Sequence, residues 1–330
     1  MKTVVYSTHQ FEKDFLVQAT AGKHELHFLD IPLKLETVDL AMGANAVSIF
    51  VNDDASEEVL KKLQKGGTKF IVLRSAGYNN VNVGIAIKLG IKIARVPAYS
   101  PYAVAEHAVS LMMALNRKLI KANNRVHDLN FSLDGLTGFD MNGKTVGIIG
   151  AGQIGAIAVK ILHGFGCNIL VADQTKNEEL IKKYEVRYTD LNTLYEKADI
   201  ISLHAPLTSE TRYMINKESI NRMKKGIMLI NTSRGALINT KDVIRALKNG
   251  QIGYLGLDVY EEEGGLFFED HSEDILQDDL ISRLLTFKNV LITSHQAFLT
   301  NTALENIATT TAYNLDCFEN NVACKNELKE

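Results

Sequence analysis

The sequence predicts an α/β protein of two doubly wound parallel-sheet domains, and three observations carry that expectation. Short apolar runs of strand composition alternate with helix patterns along almost the whole chain, the order that a parallel sheet with crossover helices requires. The alternation comes as two consecutive arrays, and 330 residues are enough for two domains with cores of their own. At the start of the second array, a strand breaks into Gly150-x-Gly152-x-x-Gly155 and then into an apolar helix pattern.

In the first array, Lys2–Ser7 reads as a strand, Gln10–Ala19 as a helix and Glu25–Leu29 as a second strand. Ala46–Val51 is a third strand, followed by a charged helix over Ser56–Lys65. Phe70–Arg74 is the fourth, helix Val83–Leu89 closes on Gly90, and Ile91–Arg95 is the fifth. Pro97 and Pro101 bracket a loop, and Ser100-Pro101 is a helix start signal, a cap followed by Pro in the first turn. The helix it opens is expected over Ala103–Lys121, with His107 packed on it rather than acting as a ligand.

A polar stretch, Asn123–Asn142, leads into the second array. There the reading is strand Val146–Ile149, helix Ile154–Leu162, strand Asn168–Ala172, and helices Glu178–Lys183 and Leu191–Lys197. Strand Ile200–Leu203, helix Lys217–Met223, strand Ile227–Asn231, helix Thr240–Asn249 and strand Ile252–Asp258 follow. An acidic, phenylalanine-bearing insertion, Glu261–Asp279, precedes the last strand, Val290–Thr293. The final helix pattern, Leu304–Phe318, has no strand partner of its own and is expected to pack back on the first domain. That makes the first domain discontinuous, 1–100 with 299–330, around a second domain over 101–298. Crossovers near Tyr99–Pro101 and Gln296–Thr300 would then form a hinge over a cleft.

The glycine turn has the chemistry of a dinucleotide site. Gly150 allows the tight turn, Gly152 removes a Cβ where phosphates must approach, and Gly155 lets helix and strand pack closely. The orphan N–H groups of the helix start then face the pyrophosphate. Asp173 ends the next strand 18 positions after Gly155, close to the spacing of a ribose 2′-hydroxyl ligand. A carboxylate there repels a 2′-phosphate, so the Rossmann-like second domain is expected to take NAD rather than NADP.

Composition narrows the function classes. A net charge of -3 gives no electrostatic case for nucleic acid or an anionic membrane surface. Apolar runs are broken well short of a membrane-spanning length, and Met1–Tyr6 opens into a strand without a signal-peptide run. Three cysteines, Cys167, Cys317 and Cys324, lack metal-ligand spacing; they read as structural thiols of a reducing cytoplasm, and no metal is expected.

Three segments stand at the carboxyl ends of strands in the second array, where the groups of an α/β active site belong: Asn231-Thr-Ser-Arg234, Asp258-Val-Tyr-Glu-Glu-Glu263 and Ser294-His295-Gln-Ala-Phe298. Arginine offers a planar donor fork to a carboxylate and carbonyl oxygen. Histidine gives or takes a proton near working pH, and a neighbouring carboxylate stabilises its imidazolium form. Each also has a bland reading, Arg234 as a strand-end cap, Glu263 as one more solvated acid and His295 as a satisfied loop histidine, and taken singly the bland reading wins for Glu263 above all. Together, each after a strand of one dinucleotide-binding sheet, they favour catalysis, and such a set has a clear use with a 2-keto acid and NADH.

These segments, with Arg74-Ser-Ala-Gly77-Tyr-Asn-Asn-Val81, Val96-Pro-Ala-Tyr-Ser-Pro101, Ala105-Glu-His107 and Ser202-Leu-His-Ala-Pro206, resemble the D-isomer-specific 2-hydroxyacid dehydrogenase family. The similarity runs almost end to end and is strongest to its fermentative bacterial D-lactate dehydrogenase branch. Two departures are visible: Asn82 where relatives commonly have Asp, and Ser294 in place of the Pro common before the histidine.

The resemblance implies NAD-dependent reduction of pyruvate to D-lactate, with His295 as acid/base, Glu263 as its partner and Arg234 holding substrate. It places the family's acid five residues after Asp258, which selects Glu263 over Glu261 and Glu262. It implies cofactor contacts at Gly150, Gly152, Gln153, Ile154, Gly155, Asp173, Ala205, Pro206, Thr211, Thr232, Ser233 and Asp258. Backbone N–H groups of Ser75, Ala76 and Gly77 would bind the substrate carboxylate as an anion nest, and Tyr99 and Phe298 would wall the substrate methyl. Relatives assemble as homo-oligomers, dimers or tetramers. Two rival readings are a broader 2-hydroxyacid dehydrogenase and an NAD-sensing, corepressor-like binding protein; lack of appended tails argues against the second.

Overall fold

The computed structural model describes residues 1–329, and the chain divides into two compact units: Met1–Ser100 with the chain from Leu299 on, and Pro101–Phe298. In the first unit, strands β1 (Lys2–Val5), β2 (Glu25–Phe28), β3 (Ala46–Ile49), β4 (Phe70–Leu73) and β5 (Lys92–Ala94) form a parallel sheet in the order β2-β1-β3-β4-β5. Helices α1 (Gln10–Thr20), α2 (Glu57–Lys65) and α3 (Val83–Lys88) connect them. β3 is buried at all four positions, as a central parallel strand must be, and Val47, Ile49, Ile71 and Leu73 pack with Leu60 and Leu63 of α2. The C-terminal helix, Asn301–Glu319, packs against α1 and β4; Ala308 meets Val5 and Leu16, and Phe318 stacks on Phe70 at 4.8 Å.

The second unit opens with α4 (Pro101–Asn116) and α5 (Leu119–His127), then β6 (Thr145–Ile149), α6 (Gln153–Gly164), β7 (Asn168–Ala172) and α7 (Glu178–Tyr184). β8 (Arg187–Tyr188), α8 (Leu191–Lys197), β9 (Ile200–Leu203), α9 (Lys217–Arg222), β10 (Ile227–Asn231) and α10 (Thr240–Lys248) follow. β11 (Ile252–Leu257), α11 (Asp279–Leu285) and β12 (Val290–Ile292) complete it. The parallel sheet runs β12-β11-β10-β9-β6-β7-β8, with its order reversing at β6. Helix α4 packs on α6, β10 and β11, placing Leu111 and Leu115 over Gly256, where a Cβ would meet their side chains.

Two expectations need correction. The single helix over Ala103–Lys121 is broken between Asn116 and Leu119, because Lys118 adopts left-handed backbone with φ 50°. Asn116 is fully buried, and its amide pairs with both backbone groups of Phe139, donating to the carbonyl at 2.7 Å and accepting from the N–H at 2.8 Å. The polar stretch from Asn123 therefore begins inside a helix, α5, which buries no residue of its own. The two-residue strand β8 is too short to show a period in the sequence. The insertion after β11 carries a small core of Tyr260, Phe267 and Ile281, closed by a 2.7 Å hydrogen bond from the Tyr260 hydroxyl to Asp278. Among the described residues, no helix is long and apolar enough to cross a membrane.

Candidate active site

The reversal of strand order at β6 opens a crevice at the carboxyl ends of β6 and β9, the usual ligand position in such sheets. Gly150 takes φ 89° there, and a Cβ on it would strike the backbone of Ala205 at the end of β9. Gly155 packs directly on the carbonyl of Gly150, whereas a Cβ on Gly152 would point into open space. Among the described residues, the N–H groups of Gly152, Gln153 and Ile154 have no backbone or side-chain acceptor, so the start of α6 presents free donors. The exposed carboxylate of Asp173 accepts from Ala151 N–H at 2.6 Å and Thr175 N–H at 2.9 Å, which fixes it beside the glycine turn.

The far side of this crevice is also built for a ligand. Ser233 Oγ donates to Ala205 O at 2.7 Å, tying the β9 and β10 ends together, and Thr211 Oγ1 donates to Pro206 O at 2.7 Å within the loop after β9. Thr232 Oγ1 is buried without a partner among the described residues, an arrangement that disfavours an apolar neighbour and suits a polar group of a bound cofactor. Burial lowers the His204 imidazole to a pKa of about 4, so it is neutral at physiological pH, with Nε2 3.0 Å from Ser202 Oγ. The donor set fits a dinucleotide.

His295, Glu263 and Arg234 all lie on the second unit, on loops after β12, β11 and β10. His295 Nδ1 is 2.9 Å from Glu263 Oε1, and the other carboxylate oxygen accepts from Tyr260 N–H at 3.1 Å. Glu261 instead accepts from the N–H and hydroxyl of Thr240, so it is Glu263 that meets the histidine. A carboxylate at Nδ1 fixes the proton on that nitrogen. Nε2 has no protein partner among the described residues, leaving it free to exchange a proton with a ligand. Arg234 is half-buried, and its guanidinium has one acceptor among the described residues, Ser233 O at 2.7 Å.

Asp258, expected among the cofactor contacts, is fully buried and holds the histidine's turn. Its carboxylate accepts from Thr293 Oγ1 at 2.6 Å, Gln296 N–H at 2.9 Å and Ala297 N–H at 2.9 Å. His107 joins the group, with Nε2 3.0 Å from Thr293 Oγ1 and 3.4 Å from Asp258. The turn holds His295 at φ 49°, a left-handed conformation that a non-glycine residue adopts only when its surroundings impose it. Phe298 is buried at the end of this unit, and the Phe268 ring lies 5.8 Å from that of His295. The signal for Asp258 as an anchor was present in the sequence: an acid ending a strand of otherwise apolar residues.

In the first unit, the loop after β4 presents Ser75, Ala76 and Gly77, none of whose N–H groups has an acceptor among the described residues. Ser75 Oγ closes the turn onto Gly77 O at 2.8 Å. Three successive unpaired amides are the kind of donor set that an anion-binding concavity uses. Tyr99 lies half-buried in the same unit, its carbonyl accepting from Asn306 Nδ2 at 2.6 Å.

The NAD-binding domain of D-isomer specific 2-hydroxyacid dehydrogenases matches residues 109–297. The chain is similar to D-lactate dehydrogenase of Escherichia coli, 51% identical over 329 residues that cover 99% of this chain and 100% of the relative. Its fold is similar to a pyruvate reductase of Chlamydomonas reinhardtii, with TM-score 0.93, 44% identity, and 99% and 98% of the two chains covered. It is also similar to a Lactobacillus jensenii D-lactate dehydrogenase solved with NAD+, with TM-score 0.82, 32% identity and 100% of both chains covered.

Proposed function

The chain belongs to the D-isomer-specific 2-hydroxyacid dehydrogenase family of NAD-dependent oxidoreductases, and from that premise we propose that it reduces pyruvate to D-lactate. The observation that carries the reading is the His295–Glu263 pair at 2.9 Å, whose remaining ring nitrogen has no partner among the described residues. The cofactor supplies the hydride when bound. Protonated His295 gives its Nε2 proton to the carbonyl oxygen of the 2-keto acid, and Glu263 stabilises the imidazolium before that transfer. Arg234 and the amides of Ser75, Ala76 and Gly77 hold the carboxylate, fixing the carbonyl for attack. Tyr99 and Phe298 wall the methyl group. Gly150–Gly155, Asp173, Ala205, Pro206, Thr211, Thr232 and Ser233 hold the dinucleotide, and Asp258 acts on the chemistry by fixing the turn of His295.

Two features support further parts of this reading. Leu119, Ile120 and Val126 of α5, with Leu129, Phe131 and Leu133 after it, are all exposed, an apolar arm that supports assembly as a homo-oligomer, dimer or tetramer. All three cysteines are free thiols and buried, which suits the cytoplasm.

The test is NADH consumption with pyruvate, phenylpyruvate and 2-ketoisocaproate, followed by chiral analysis of the product. The expected result is the highest kcat/KM on pyruvate and D-lactate as product. Highest activity on a longer acid would favour the broader dehydrogenase, and no turnover with any acid would overturn the proposal.

A further inference from the structure

The carboxylate nest of the first unit has a charged brace behind it. The geometry points to Arg95 as a positioning residue that fixes and polarises the Ser75–Gly77 amides for the substrate carboxylate.

In a trans peptide the C=O and the following N–H point to opposite sides. Holding one end therefore aims the other. Ser75 O accepts from Val96 N–H at 3.1 Å, and Ala76 O accepts from Arg95 Nη1 at 2.6 Å. Two consecutive residues after β5 thus anchor two consecutive peptide units, and the N–H groups of Ala76 and Gly77 are turned to the other side. The bond to Ala76 is charge-assisted. A cationic donor on the carbonyl draws electron density through the amide and makes the Gly77 N–H a stronger donor.

The arginine itself is rigidly held. Its backbone N–H donates to Asn326 O at 3.1 Å, its carbonyl accepts from Asn314 Nδ2 at 3.0 Å, and its guanidinium lies over the Tyr78 ring at 5.1 Å. Asn314 is fully buried and is held in turn by Asn326 Nδ2 at 2.9 Å. Among the described residues no carboxylate pairs with Arg95. Arg74, at the end of the adjacent strand β4, is by contrast neutralised by Glu12 at 2.8 Å. Arg95 is therefore a half-buried positive charge whose field is left for an incoming anion.

This inference rests on the 2-keto acid reading, and its test separates the two. Arg95→Met and Arg95→Lys are compared with the wild type for KM and kcat on pyruvate and on 2-ketoisocaproate, for oxamate Ki and for NADH Kd. Arg95→Met is expected to raise both KM values and the oxamate Ki by one common factor, about tenfold to a hundredfold, with kcat nearly unchanged. NADH Kd stays as in the wild type, and Arg95→Lys recovers part of the loss. A common factor marks the carboxylate, which both acids share. A loosened fold would instead move kcat and NADH binding as well. Wild-type KM values in Arg95→Met, a factor that depends on substrate length, or a fall in kcat at unchanged KM would overturn the inference while the function stands. If Arg95→Met does not fold, Arg95→Lys decides: a common rise in KM and Ki supports the inference, and wild-type values overturn it. A wild type that reduces neither acid overturns the functional reading and this inference with it.

Discussion

His295 Nδ1 and Glu263 Oε1 stand 2.9 Å apart although 32 residues separate them in the chain. The contact exists because two adjacent parallel strands, β11 and β12, end side by side, with Leu257 opposite Ile292. Each loop then needs only a few residues to bring its side chain to the shared edge.

His295→Gln removes the proton donor and keeps the approximate shape of the ring. Turnover of pyruvate is expected to fall by about 10²–10⁴-fold. Glu263→Gln keeps a hydrogen-bond acceptor for Nδ1 without the charge, so kcat should fall by less. Steady-state kinetics with NADH checks both, and near-normal turnover by His295→Gln would remove the acid/base assignment.

Asp258→Asn places an amide where both carboxylate oxygens accept hydrogen bonds. One of the N–H groups of Gln296 or Ala297 must then face a donor in a buried site, a loss of about 1–3 kcal/mol. Thermal unfolding should shift down, and kcat should fall with it because the turn that holds His295 at φ 49° is released. A variant with lowered stability and wild-type kcat would show that the turn does not position the histidine.

Asp173→Ala removes the acid expected at the ribose. The KM for NADH is expected to rise about tenfold or more, and the preference for NADH over NADPH should narrow. Comparing kcat/KM for the two cofactors is the check, and an unchanged ratio would assign Asp173 to the glycine turn alone.

His204 predicts a direction for acid stability. Its ordinary value of 6.5 is lowered to about 4 by burial, so between these values the unfolded chain binds a proton that the folded chain does not. The stabilisation, about 3 kcal/mol by this shift, is complete above pH 6.5 and is lost as pH falls through 4. His204→Gln should flatten the dependence of Tm on pH across that window, measured by calorimetry. An equally steep dependence in the variant would place its origin elsewhere.

Phe131→Asp with Leu133→Asp puts charge on the exposed arm. Sedimentation should show a smaller species than the wild type, at unchanged helix content by circular dichroism. A wild type already monomeric would rule out the arm as a self-association surface.

What could be read from the sequence follows how local its cause is. Gly150, Gly152 and Gly155 announce their turn because the constraint lies in the glycines themselves, and the strands announce theirs because burial on both faces leaves apolar runs. The break at Lys118 is invisible in the helix pattern, since it depends on Asn116 meeting Phe139, 23 residues on. Asp258 is a cofactor contact by resemblance, and that both its oxygens accept from the segment carrying His295 is a tertiary fact that no local pattern encodes. Arg95 read as the last residue of a strand, and only the pairing of its guanidinium with Ala76 gives it a different significance.

The discontinuous first unit has a consequence for biosynthesis. Its sheet is complete by Ala94, yet the helix that covers β4 and α1 begins at Asn301. At roughly 5–20 residues per second on the ribosome, about 200 residues of the second unit emerge in between, a wait of some 10–40 seconds. During translation Val5, Leu16 and Phe70 stay without their lids Ala308 and Phe318, so that apolar surface of the nascent N-terminal half remains uncovered until the last helix emerges.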